Sequence, residues 1–577
     1  MKYTVKNGTF WLLLLVCSLT IIPFLGFPEY HTKGEPRESI VSYTMIVSDN
    51  WALPRNNGGE MAYKPPFFHW CVAIASLLRG YVTEGATRLP SALALIGMTL
   101  WGFGFFARRR GVMLGMLTTL VAFTTFELHR AGGNCRVDMV LTAATVCALY
   151  CLYRWYEQGM RETITLVFAI VLMGIGTLTK GPVGTLIPCL VMGVYMLIRG
   201  ENFFKTFFLL LLCGLLSLLP YAFWFYAAWL QGGQEFLDLM YEENIGRMTS
   251  TMSYESCVEP WPYNFLTVIL GFLPWTFLLL IAIPFTIKGP WSRFKIQRSS
   301  FKTLWSKIRA AEPVELFSVV AIVVIFVFYC IPQSKRSVYL MPIYPFLAYF
   351  VAKFILWMSE NTPRVMRIYG NVLSILCLLM FVLFLIVKAG LVPDSIFQGR
   401  HAADNIRMLH SLENIGLWWE WIIICIPVSF SLYWWIRRKS DSIHNIYAVI
   451  FITFGLYLSL DGVYSPAILN SKSVRDVSIQ INHAVPASEG TLYEFIEAGV
   501  KAKGDPVHFF EINFYLHNRI RNFYREKPNR GFLLITKTDA LRNFPQFQSE
   551  GYRFRLRYEA DRRELQVYEF TRQRRAK

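Results

Sequence analysis

The run "TFWLLLLVCSLTIIPFLGF" (9 to 27) constrains the fold more than any other feature. A stretch of ~20 apolar residues is long enough to cross the hydrocarbon core as a helix, and in lipid a helix satisfies its own backbone polar groups. Comparable runs recur at 89 to 107, 111 to 128, 138 to 156, 164 to 180, 182 to 198, 206 to 230, 263 to 287, 314 to 332, 338 to 358, 368 to 390, 418 to 436 and 443 to 462. The reading is an α-helical polytopic membrane protein of about thirteen spans. No small-residue cleavage site follows the first run and further spans come after it, so it reads as a span and not as a removable leader. With 54% hydrophobic and 17% charged residues among 577, the composition excludes a soluble globular chain.

The formal charge of +18 reports topology once its placement is traced. Lys and Arg collect in short connections: Arg108 to Arg110, Arg154 with Arg161, Arg199 with Lys205, Arg364 with Arg367, Arg437 to Lys439, and above all residues 288 to 313. Cytoplasmic loops carry such excess. All of these loops face inward only if residues 66 to 80 do not cross the bilayer, so that segment is expected to be interfacial and to stay on the outer side. Nucleic acid is not the expected partner; membrane lipid is. The 11 cysteines lie almost wholly in apolar runs, which implies no disulfide framework.

The outer side then receives the first loop (29 to 88), the turn at 129 to 138, the loop at 231 to 262, the turn at 333 to 337 and the tail. Residues 1–462 read as a transmembrane domain. Residues 463–577 read as an extramembrane α/β domain, with strands expected at "GTLYEF", "PVHFFEI", "GFLLIT" and "RELQVYEF" and an amphipathic segment at "NFYLHNRIRNFY".

On that side charged residues gather at span ends. Glu35 and Arg37 follow the first span, Lys64 precedes a Pro-Pro pair, and Asp138 opens a span after Arg130 and Arg136. Any one of them could be an interfacial anchor. Acids and bases drawn together from several segments point instead to a site, because desolvated charges need partners. Lys64, Arg37, Arg247 and the "SKR" turn with Lys335 could neutralise a lipid-linked phosphate. A carboxylate could take the proton of an acceptor hydroxyl attacking a sugar's anomeric carbon.

The segments "GEPRES", "YKPP", "RVDM", "LTKGP", "ENIGRM", "PWPYNF...GFLPW" and "SKRSVYLMPIYP" follow one another in the order and spacing of the polyprenyl-phosphate-sugar-dependent membrane glycosyltransferases. Over residues 9 to 360 the chain resembles that family, in particular its lipid A aminoarabinose transferase branch and the related protein O-mannosyltransferases. The resemblance implies a GT-C fold in the bacterial inner membrane. It also implies an undecaprenyl-phosphate-linked sugar donor, and transfer with inversion to a periplasmic acceptor: lipid A, another glycan or a protein. It makes Glu35 and Asp138 the catalytic candidates. It assigns donor-phosphate binding to Lys64, Arg37, Arg247, Lys335 and Tyr339, and acceptor or supporting roles to Arg136, Glu259 and Asn244.

Two departures from the family pattern stand out. Gly34 occupies the position of the first acid of the family's pair, so a base role would fall to Glu35 or to none. A phosphate acceptor is already anionic and needs no base, so the missing acid leans towards that acceptor. Tyr63, Asn244 and Glu259 stand where relatives carry metal-type ligands. These departures weaken any inferred metal site: no cofactor is certain, and a divalent metal ion stays an option with an unknown site.

Other signals are discounted. "GFGFFA" (102 to 107) lies inside a span with no acidic residue after it, which suits helix packing and not a dinucleotide. The 9 histidines show no metal-ligand spacing; His508 and His517 read as ordinary residues of the outer domain, while His31 and His69 stay candidates. Trp261 is an interfacial residue before it is a saccharide platform. The rival reading is a transporter or flippase, which would place its charges in broken helices at mid-bilayer and not at one face.

Overall fold

The computed structural model describes residues 7–246, 258–260, 262–287, 301–399, 401–439, 442–496, 508–560 and 562–573. Arg247, Trp261 and residues 288–300 of the basic 288 to 313 loop lie outside the described residues. The chain packs as two compact units. One comprises Met1–Pro28, Arg88–Trp224 and Cys257–Ser471, and the other Glu29–Thr87, Phe225–Ser256 and Lys472–Lys577.

The first unit is helical and spans the membrane. Among the described residues nine helices are long and apolar enough to cross, from Glu84–Arg110 to Ile443–Asn470, or up to 11 if each of two bent pairs counts as one span. Gly8–Phe24 and Val183–Arg199 are apolar but shorter. The bent pairs match the expected spans 111 to 128 and 263 to 287: Val112–Phe123 turns into Phe126–Gly132 through 68°, and Tyr263–Gly271 into Trp275–Phe285 through 99°.

Both bends have local causes and support each other. Thr124 and Thr125 turn their hydroxyls back to the carbonyls of Leu120 (2.6 Å) and Val121 (2.8 Å), which competes with the helical ladder. Pro274 lacks the N–H that would continue its helix. Backbone groups freed at the bends find each other: Phe126 N–H donates to Leu273 O at 2.8 Å, and the Trp275 indole donates to Thr124 at 3.1 Å. The two bends thus meet where the chain enters Phe126–Gly132. Close packing of helices Thr163–Lys180 and Val183–Arg199 is set by Gly176 and Gly184, since a Cβ on Gly184 would stand 2.3 Å from the Gly176 carbonyl carbon.

The second unit carries a five-stranded mixed sheet of order β2-β1-β3-β5-β4. Its strands are β1 (Leu492–Glu494), β2 (Ile520–Asn522), β3 (Arg530–Thr536), β4 (Tyr552–Glu559) and β5 (Leu565–Arg572). β1 runs parallel to β2 and β3, while β5 pairs antiparallel with β3 and β4. The unbroken apolar run of β3 is explained by burial on both faces: Phe532 and Leu534 join Leu492, Ile520 and Ile481 on one face, and Leu533 and Ile535 join Phe523, Phe547 and Phe570 on the other.

Strands form as expected at "GTLYEF", "GFLLIT" and "RELQVYEF". At "PVHFFEI" the structure differs: Phe510–Tyr515 is a helix, the crossover that a parallel β1/β2 pair requires. The "NFYLHNRIRNFY" segment is the end of that helix, a turn and β2.

Two helices of the first loop complete this unit. Gly34–Ser48 packs against Phe67–Arg79 and against Phe510–Tyr515. Phe67–Arg79 has 13 residues, about 20 Å of helix, too short for a hydrocarbon core of ~30 Å. It buries Phe68, His69, Val72 and Ser76 and exposes Ile74, Leu77 and Leu78, the pattern of a helix lying in an interface.

Candidate functional site

Helix Gly34–Ser48 has a low mean hydropathy, yet it buries Glu35, Glu38, Ser39, Ser42 and Thr44. Polar side chains are carried into an interior only when partners await them. Glu38 has three. The Lys64 ammonium donates to Oε1, Arg37 donates to the same oxygen at 3.0 Å, and His69 Nε2 stands 3.0 Å from Oε2. Burial alone would push this carboxyl up, but the Lys64 and Arg37 charges and the His69 hydrogen bond hold it well below the usual carboxylate range.

Arg37 and Lys64 sit beside the Tyr63 ring, 5.7 and 5.9 Å from its centroid. They keep 27% and 20% exposure against 3% for the Glu38 side chain, so two cations share one buried carboxylate and still present surface to an incoming anion. The neighbouring Pro65 and Pro66 end regular structure and start the next helix at Phe67, fixing where Lys64 departs. Glu35 lies one helical turn before Glu38 and is 3% exposed.

A second acid–cation set belongs to the membrane unit. Asp138 lies in the first turn of Val137–Glu157 and pairs with Lys180, the last residue of Thr163–Lys180. The Lys180 ammonium lies 4.4 Å above the Tyr339 ring, and Tyr339 stacks on Tyr329 at 5.4 Å. Lys335, 7% exposed, donates to the Glu259 carbonyl at 3.0 Å. Nearby in sequence, Arg130 pairs with Glu127 at 2.7 Å, and His129 Nε2 meets Asp461 at 2.6 Å.

The expected residues therefore divide. Arg37 and Lys64 converge, with Glu35 on the same helix. Asp138 and Tyr339 converge through Lys180. Lys335 meets the Glu259 backbone, whose side chain is half-buried. Arg136 is half-buried at the head of the Asp138 helix, its carbonyl accepting from Ser91 at 3.3 Å. Asn244 is exposed and donates to Met240 O at 2.8 Å. Arg247 lies outside the described residues. Among the described residues no group of three or more His, Cys, Asp and Glu side chains is arranged to hold a metal ion.

Sequence reasoning missed Glu38 and Lys180. Glu38 follows Gly34 by four residues, one turn along the same helix face, so a carboxylate is present on the face where the family's first acid is absent. Lys180 sits inside the quoted "LTKGP", where Gly181 (φ 86°) ends the helix and leaves the lysine at its tip.

The fold is of the GT-C type, as a solved bacterial membrane protein shows. The crystal structure of ArnT from Cupriavidus metallidurans bound to undecaprenyl phosphate matches with a TM-score of 0.70 at 19% identity, over 98% of each chain. Residues 63–226 match the family described as Dolichyl-phosphate-mannose-protein mannosyltransferase. An uncharacterized protein of Aquifex aeolicus is 26% identical over 59% of this chain and 63% of its own length. The undecaprenyl phosphate-alpha-4-amino-4-deoxy-L-arabinose arabinosyl transferase 1 of Pseudomonas fluorescens is 22% identical over 66% of this chain and 63% of its own. The matched region thus spans less than two thirds of these relatives.

Proposed function

We propose that this chain is an inner-membrane glycosyltransferase that takes a sugar from an undecaprenyl-phosphate-linked donor and transfers it, with inversion, to a phosphate of lipid A on the periplasmic face. The observation that carries the reading is the convergence of Arg37 and Lys64 on Glu38, in a fold whose solved relative was crystallised with undecaprenyl phosphate.

In the reaction an acceptor oxygen attacks the anomeric carbon, the bond from that carbon to the donor phosphate breaks, and its electron pair leaves with the phosphate. Arg37 and Lys64 stabilise the charge that develops there. With a phosphate acceptor no proton moves, and Glu35 and Asp138 orient cations and substrates. With a hydroxyl acceptor one of them takes the proton. Lys180 holds Asp138 in place.

Mass spectrometry of lipid A and periplasmic glycans from a deletion strain, bare and complemented, tests the proposal. A mass increment on lipid A that disappears with the gene and returns with it is expected. An unchanged envelope, with purified protein that releases no undecaprenyl phosphate from any lipid-linked sugar, would sink it.

A further inference from the structure

Residues 55 to 61 form a tight turn with backbone hydrogen bonds of its own, Asn56 N–H to Glu60 O at 2.7 Å and Gly59 N–H to Asn56 O at 3.1 Å. It is closed by one bridge between Arg55 and Met61, and Gly58 and Gly59 adopt φ of 65° and 81°. Its central residue is nevertheless wholly buried: Asn57 is 0% exposed. The Asn57 amide donates to Glu494 Oε1 at 2.7 Å, and its carbonyl oxygen accepts from Asn513.

Glu494, 0% exposed at the end of β1, also accepts from Phe509 N–H at 3.2 Å and meets His508 Nδ1 at 2.5 Å. On the far side of that ring Nε2 faces Glu60 at 3.1 Å. With a carboxylate at each nitrogen, both ring nitrogens donate and the ring is an imidazolium. Gly58 lies along β2 at Arg521, where a Cβ would stand 3.3 Å from both Asn522 and Glu494. Arg525 donates to Gly59 O at 2.9 Å.

The turn joins the two halves of the cation cluster. Four residues after Glu60 comes Lys64. At the other end the Arg55 carbonyl accepts from Thr44 at 2.5 Å, on the helix that carries Arg37 and Glu38. A buried charged network is a costly way to dock a turn when apolar side chains would serve; what it offers is a single register.

We propose that the network of Asn57, Glu494, His508 and Glu60 is a positioning device through which the C-terminal domain sets Lys64 for the donor phosphate. This rests on the role given to Lys64 under the proposed function. Among the described residues Glu494, from β1, and Glu60, from the turn, are the charged groups that face the ring. Burial works against the imidazolium, but the two carboxylates carry its pKa up to about 9. Since the folded pKa is raised, the contribution is complete below the ordinary histidine range and is lost as pH rises through about 9.

The test is binding of undecaprenyl phosphate to the full-length protein in nanodiscs, against pH, for wild type, H508Q, E494Q, E60Q and K64A. Expected are a weakening of roughly tenfold or more in H508Q and E494Q and a smaller one in E60Q. A loss of wild-type affinity through pH 9 should be absent from H508Q. If K64A weakens binding while the network variants bind like wild type and keep the alkaline step, the positioning role is overturned. If K64A itself binds normally, the role of Lys64 fails and the device fails with it. Should H508Q or E494Q not fold, E60Q decides, because its carboxylate lies at the surface: unchanged affinity and an unchanged pH profile reject the proposal.

Discussion

At the scale of single residues the site is a matter of charge balance. Lys64→Ala removes one of two cations from the proposed phosphate position. We expect binding of undecaprenyl phosphate to fall about 10- to 100-fold, the range of a charge-assisted hydrogen bond, with donor turnover lost and the protein still inserting. Turnover at the wild-type rate would return Lys64 to the role of an interfacial anchor. Glu38→Gln removes the buried carboxylate that Arg37 and Lys64 share and should lower stability by about 3 kcal/mol, read as a fall in melting temperature. In the wild type the depressed Glu38 pKa means that this contribution is present above the ordinary carboxylate range and is lost only as pH falls well below it. Melting between pH 5 and 7 should then show no step from this group. Glu35→Gln and Asp138→Asn separate the acceptor classes. A positioned base should cost roughly 100- to 10,000-fold in rate, whereas acids that only orient a phosphate acceptor should cost less, with little dependence on pH. Wild-type transfer by both variants would remove them from the site.

At the scale of elements, much of the tail was legible. β1, β3 and β5 stand where the sequence predicts strands; β1 and the core of β3 are buried on both faces, which writes their burial into consecutive residues. β4 was not legible, since its exposed Arg553, Arg555 and Arg557 resemble a solvated segment. Nor was the helix over Phe510–Tyr515, whose aromatic run has high strand propensity and is overruled by the crossover between parallel strands. The central strand makes a stability prediction. Leu534→Ala, at a residue 0% exposed, should cost ~2–5 kcal/mol. Limited proteolysis should detect the loss as earlier cleavage within the tail, and unchanged resistance would contradict the two-faced core. Gly34–Ser48 shows the opposite case: its polar composition hides its burial, and only its partners explain why two glutamates lie inside.

At the scale of the whole molecule, every dense basic loop can face the cytoplasm only if Phe67–Arg79 stays on one side. Arg161→Cys and Glu526→Cys should therefore label from opposite faces of the membrane with an impermeant reagent. Labelling from the same face would overturn the topology. The rough limits of most apolar spans and the existence of a C-terminal α/β domain were legible in the sequence alone. Hydrocarbon thickness, backbone hydrogen bonding and the positive-inside bias act on composition and length, which a one-dimensional reading captures. Which charges meet was decided only by tertiary structure. Lys64 and Glu38 are 26 residues apart, Lys180 and Asp138 are 42, and Asn57 and Glu494 are 437. An ion pair depends on distances of a few ångströms, and those are set by how helices bend at Thr124 and Pro274, where Gly184 lets two backbones touch, and which turn a distant strand holds in register.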